Sequence, residues 1–149
     1  MKVGLVARAK TFGAIGLRLG RATGRPLQSM AYAAKFLVDH QKRHSLVWKG
    51  LPFTARGTDW AAIEEVLVER EYEPAARLLR QRSRPVVLDL GANIGMFSLF
   101  VFAEVPDATV LAFEASADSA ALLAENAAAN KQLDWLTHHG AAWSTDGEV

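Results

Sequence analysis

The run Asp89-Leu90-Gly91-Ala92-Asn93-Ile94-Gly95, followed by Glu114, holds the residue types and spacing in this chain most suited to chemistry. Gly91 and Gly95 mark a turn in which bare backbone can approach a ligand closely, and a helix beginning there presents free N–H groups. Glu114 stands about 20 residues further on, the interval at which an acid accepts hydrogen bonds from ribose hydroxyls. Together the turn and the acid point to a nucleoside-containing cofactor. A dinucleotide fingerprint requires Gly-x-Gly-x-x-Gly, and here Asn93 occupies the middle position. Asp89, at the end of the preceding apolar run, would repel a pyrophosphate but suits the ammonium of a methionine moiety. The pattern therefore favours S-adenosylmethionine over NAD, with Asp89, Gly91, Asn93, Gly95 and Glu114 as the cofactor-binding residues.

Regular elements must position these groups. Val86–Leu90 is a β-branched apolar run of the kind found in strands buried on both faces. Met96–Ala103 is an apolar segment of helical length, and Thr109–Phe113 is a second strand that ends on Glu114. A helix is predicted from Ser116 to Asn130 with Leu122 and Leu123 inward, then a third strand from Leu133 to His139. Strand, helix, strand, helix, strand is a repeated βαβ pattern, which builds a parallel sheet with right-handed crossovers. The expected fold class is α/β and Rossmann-like, with strands in the order 3-2-1 and the glycine turn at their carboxyl ends.

Val87–Ser98, then Ala112-Phe113-Glu114-Ala115-Ser116, Leu123-Ala124-Glu125-Asn126 and Ala141-Ala142-Trp143-Ser144, resemble the FkbM family of methyltransferases, as do the upstream Thr58-Asp59 and Glu71-Tyr72. The resemblance runs from about Phe53 to Val149. It implies a class I methyltransferase that uses S-adenosylmethionine to methylate hydroxyl oxygens of small molecules, sugars or lipid-like products. Ala115 departs from the family, which usually has proline after the acid. Family members also continue past the Asp146-Gly147-Glu148 turn into further strands with an Asp-x-Glu-Gly element. The expectation is thus a chain that supplies the cofactor-binding half, with an incomplete sheet open to self-association. No catalytic residue is assigned. His138 and His139 are adjacent on a strand and point to opposite faces. With His40 and His44 they show no metal-ligand spacing. Trp135 and Trp143 read as core.

The remainder of the chain differs in charge. Met1–Thr58 carries eleven Lys or Arg against the single acid Asp39, whereas Asp59–Val149 has six basic and fifteen acidic residues. That shift, with the turn-like Lys49-Gly50-Leu51-Pro52, divides the chain into a basic helical accessory segment (1–58), a helical lead-in (59–84) and the cofactor domain (85–149). In the first, Leu5, Ala9, Phe12, Ile15 or Gly16, and Leu19 recur at helical spacing up to a break at Thr23–Pro26. A second amphipathic stretch from Ser29 to Lys42 places Met30, Ala33, Ala34 and Leu37 on one side. The lead-in starts at Thr58-Asp59 with Ile63, Val66 and Leu67 buried, and continues as Ala75–Gln81 with Leu78 and Leu79 inward.

These basic helices either pack their stripe on the main domain or, as a peripheral contact through residues 1–45, lie on an anionic membrane. A nucleic-acid partner is not expected. There is no cysteine, so disulfides are excluded and a reducing cytoplasm is the simplest compartment. Two function classes follow: an S-adenosylmethionine-dependent transferase acting on a small-molecule or glycan hydroxyl, or a catalytically inactive domain that acts through its basic helices.

Overall fold

The computed structural model describes residues 2–38 and 40–142, with side chains described for 13–34 and 40–142. Leu5, Ala9, Phe12 and Leu37 of the amphipathic stripes, Trp143, and the Asp146-Gly147-Glu148 turn lie outside those descriptions. The chain divides into two compact units, Met1–Arg70 and Glu71–Val149. The division falls inside the stretch 59–84, at Arg70, whose φ of 55° is left-handed.

The first unit begins with α1 (Lys2–Thr23) and α2 (Pro26–Val38), which pack closely as an antiparallel pair. Pro26 opens the second helix at a position where its missing N–H is no loss. Gly16 and Gly20 set the spacing: a Cβ on Gly16 would lie 2.5 Å from Met30 Sδ, and one on Gly20 3.1 Å from Pro26 Cα. The buried sides carry Ile15 and Leu19 on one helix and Ser29, Tyr32 and Ala33 on the other. Of the stripe Met30, Ala33 and Ala34, the structure buries Ala33 and leaves Met30 and Ala34 exposed. The helical period is as expected, but the close backbone contact at the glycines rotates the buried side of α2 to Tyr32.

The segment 1–58 is not wholly helical, and this corrects the sequence reading. β1 (Arg43–Trp48) and β2 (Leu51–Arg56) form an antiparallel hairpin with Trp48 opposite Leu51. Its tip is Lys49-Gly50, both at positive φ (46° and 85°), as two-residue hairpin loops require. The turn taken from sequence as a domain boundary is this tip. Alternation of His44, Leu46 and Trp48 with more exposed neighbours gives the strand its buried face. Beyond it, α3 (Trp60–Ile63) runs into a π-helical stretch, Glu64–Glu69, that buries Val66 and Leu67. Arg18 of α1 pairs with both Glu64 and Glu69.

The second unit opens with α4 (Glu73–Leu79), which carries Pro74 in its first turn. Leu78, expected inward, is 67% exposed, and Ala76 is the buried residue of this short helix. Then follow β3 (Val86–Leu90), α5 (Met96–Glu104), β4 (Thr109–Glu114), α6 (Ala117–Ala129) and β5 (Asp134–His139). The strands form a parallel sheet ordered β3-β4-β5, with Leu88 opposite Leu111 and Leu111 opposite Leu136. This is the parallel α/β arrangement expected from the pattern.

Both crossover helices lie against one face of that sheet. Phe102 of α5 packs on Trp135 with ring centroids 5.6 Å apart, and Val87, Val110, Ala112, Leu122 and Leu123 are buried with them. Among the described residues of this unit, the other face is exposed. Val86, Leu88 and Leu90 are 68%, 61% and 58% exposed, so β3 is buried on one face rather than the two expected. The reason is topological: successive right-handed crossovers in one direction stack their helices on the same side.

Candidate functional site

The chain leaves β3 at Leu90 and reaches α5 through Gly91–Gly95, with three residues at positive φ: Gly91 at 77°, Asn93 at 50° and Gly95 at 89°. Asparagine is among the few non-glycine residues that tolerate this region. The turn is tied down at both ends. The N–H groups of Gly91 and Ala92 both donate to the Phe113 carbonyl at 2.9 Å, and the buried Asn126 amide donates to the Ile94 carbonyl at 2.8 Å.

The two glycines serve different needs. A Cβ on Gly91 would stand in open space, so only its backbone angle requires glycine. A Cβ on Gly95 would fall 2.5 Å from the Trp135 ring and 2.7 Å from Leu123. Gly95 is thus the point where the turn is pressed onto the core, and Gly91 is the point where backbone is bare toward the outside.

Glu114 ends the neighbouring strand. One carboxylate oxygen accepts the Asn93 N–H at 2.8 Å, the other accepts the Ser116 N–H at 2.8 Å, and its main-chain carbonyl accepts the Gly140 N–H at 2.9 Å. The residue therefore joins the glycine turn, the start of α6 and the end of β5. A carboxylate offers about four lone-pair sites; two backbone donors leave capacity for hydroxyls.

Asp89 is placed differently. It is 6% exposed and lies on the helix-covered face of β3, where its carboxylate accepts the Ser98 hydroxyl at 2.5 Å. Burial pushes its pKa above the ordinary carboxylate value; the Ser98 bond works against that shift, and the charge of Glu114 adds to it. The structure thus gathers Gly91, Asn93, Gly95 and Glu114 at the carboxyl ends of β3 and β4, with Asp89 beneath them.

Ser98 and Asn126 are the residues that the reading from sequence overlooked as parts of this site. Each leaves a signal: a small hydroxyl inside the apolar run Met96–Ala103, and an amide three residues past Leu123 on the buried side of α6. His138 and His139 diverge as strand geometry requires. The His138 ring stacks on Phe113 at 4.8 Å, and His139 Nε2 lies 3.1 Å from the Ala115 carbonyl oxygen. They border a shallow hollow of about 350 Å³ against Ala117 and Ala121 of α6. Among the described residues no cluster of His, Asp or Glu could hold a metal ion, and no helix is long and apolar enough to cross a membrane.

Comparison with known proteins gives one likeness of note. The chain is 43% identical over 51 residues to methyltransferase sdnD of Sordaria araneosa, a match covering 34% of this chain and 20% of that protein. The chain thus aligns with about a fifth of the length of the curated relative it matches. No family model matches, and no solved structure does. At the coarse level, a methyltransferase likeness and a parallel α/β sheet are what the comparisons and the fold support.

Proposed function

We propose that this chain binds S-adenosylmethionine as the cofactor-binding region of a Rossmann-like, FkbM-type methyltransferase that acts on a hydroxyl oxygen of a small molecule, sugar or lipid-like acceptor. The observation that carries the reading is the Glu114 carboxylate held against the Gly91–Gly95 turn by the Asn93 N–H. The residues fit the cofactor. Bare backbone at Gly91 admits close approach, and the free acceptor capacity of Glu114 suits two ribose hydroxyls. The Glu114 carboxylate at the turn disfavours a pyrophosphate and favours a cation. When bound, S-adenosylmethionine supplies a methyl group activated by a sulfonium centre. The protein's part is to orient: Asn126 and the Phe113 carbonyl hold the turn, and Gly95 seats it on Trp135. Likeness to a methyltransferase over 51 residues supports the same conclusion.

Titration calorimetry of the 149-residue chain with S-adenosylhomocysteine tests it. Saturable binding that NAD does not displace is expected. Preference for NAD, or no nucleoside binding, overturns the proposal.

A further inference from the structure

We infer that the outer face of the α1–α2 hairpin is a docking surface for an anionic membrane. The inference is independent of the cofactor reading. It starts from the close glycine contact. Gly16 faces Met30 and Gly20 faces Pro26, so the two helices lie nearly backbone to backbone and form a thin, flat layer. In an antiparallel pair, a step of one residue swings the side chain about 100° round each helix. From those contact points the step brings Leu17 and Leu27 to the same side. That side is opposite to the buried Ile15, Leu19 and Tyr32.

Exposure agrees with the geometry. Leu27 is 87% exposed, Leu17 53% and Met30 47%. Gly13, Ala31 and Ala34 are exposed as well. Among the described residues of this unit, both leucines are left exposed. Single exposed leucines need no explanation, but two leucines among small residues on one side of a flat helical layer, with the half-exposed Met30 at the seam between the helices, form a patch.

Charge selects the occupant. Residues 1–42 hold eight Lys or Arg against the single acid Asp39, and the exposed Arg21 and Arg25 lie in and just after the helix that carries Leu17. An apolar helical face within a strongly basic segment is what binds the interface of bilayers containing anionic lipid, through buried apolar area and charge together. Nucleic acid would use the arginines but not the leucines, since such interfaces are polar and charged.

The test is sedimentation of the full 149-residue chain with vesicles of pure phosphatidylcholine, and of equal parts phosphatidylcholine and phosphatidylglycerol. Binding to the second and not the first is expected. Leu17→Glu with Leu27→Glu should reduce it by about tenfold or more, because apolar burial is lost. Arg21→Ala with Arg25→Ala should reduce it roughly fivefold for each charge removed. All four positions are exposed, and circular dichroism confirms that the variants keep their helix content. Several results overturn the inference: no binding to anionic vesicles, equal binding to both kinds, or binding insensitive to the leucine pair. Two more do so: retention of the chain by duplex DNA in place of vesicles, and a dimer in ultracentrifugation that the leucine variants abolish.

Discussion

The carboxylate of Glu114 accepts the backbone N–H of Asn93 at 2.8 Å, although the two residues are 21 positions apart. The acid that ends one strand thereby fastens the turn that ends its neighbour, and a second oxygen on Ser116 N–H fixes its rotamer. Removing the side chain should be felt twice, in the ligand and in the turn. For Glu114→Ala we expect S-adenosylhomocysteine affinity to fall by about 1.5–3 kcal/mol, the range for hydrogen bonds to a charged group. Glu114→Gln keeps an acceptor for Asn93 and should recover thermal stability more fully than affinity. Calorimetry alongside thermal unfolding checks this; affinity unchanged in the alanine variant would assign Glu114 to the turn alone.

Gly91 and Gly95 share a left-handed backbone but not an environment, so the same substitution should differ between them. Gly91→Ala meets open space and carries only the backbone penalty, about 1–2 kcal/mol. Gly95→Ala drives its methyl into Trp135 and Leu123, adding about 1–3 kcal/mol of overpacking. Urea unfolding of both variants should rank Gly95→Ala as clearly the less stable. Equal losses would show that Trp135 moves aside without resistance.

Asp89 gives stability a pH dependence. Burial raises its folded-state pKa above the ordinary carboxylate value. The native state therefore holds this proton more tightly than the unfolded chain does. Its stabilising contribution is complete below the ordinary carboxylate pKa and is lost as pH rises through the raised folded value. Asp89→Asn retains an acceptor for Ser98 and carries no charge. Relative to the parent chain, the variant should gain stability as pH rises from the acid side to neutrality, read by urea unfolding at a series of pH values. A difference that does not change with pH would mean that Asp89 titrates as it does in the unfolded chain.

The open sheet face has consequences in solution. Leu88 and Leu136 flank Leu111 in one row across the three strands, and Leu88 and Leu136 are 61% and 47% exposed. Apolar rows of this kind associate, and lysine is the residue with which proteins commonly blunt such sheets. We expect the isolated chain to self-associate with concentration in analytical ultracentrifugation. Leu88→Lys with Leu136→Lys should shift it toward monomer with stability changed by about 0.5 kcal/mol or less. Association that persists in this variant would direct attention away from the sheet.

Much of the second unit was legible in residue order alone. The apolar run Val86–Leu90, the glycines after it and the acid closing Thr109–Glu114 are local signals, because strand, turn and helix propensities act over a few neighbours. Their repetition as βαβαβ leaves one handedness and hence one strand order. The hairpin at Arg43–Arg56 was as local, but Lys49-Gly50 reads equally as a linker until its strands are paired. What only the tertiary structure decided are relations between residues far apart in sequence. Burial beside Trp135 and Leu123 makes Gly95 a packing glycine, and contact with Ser98 turns Asp89 inward. Stacking both crossover helices on one face leaves Leu88 exposed, and the approach of Gly16 to Met30 sets which side of α2 meets water. Periodicity shows that a helix or strand has two sides; which side is buried depends on what packs against it, and that partner is supplied by the fold.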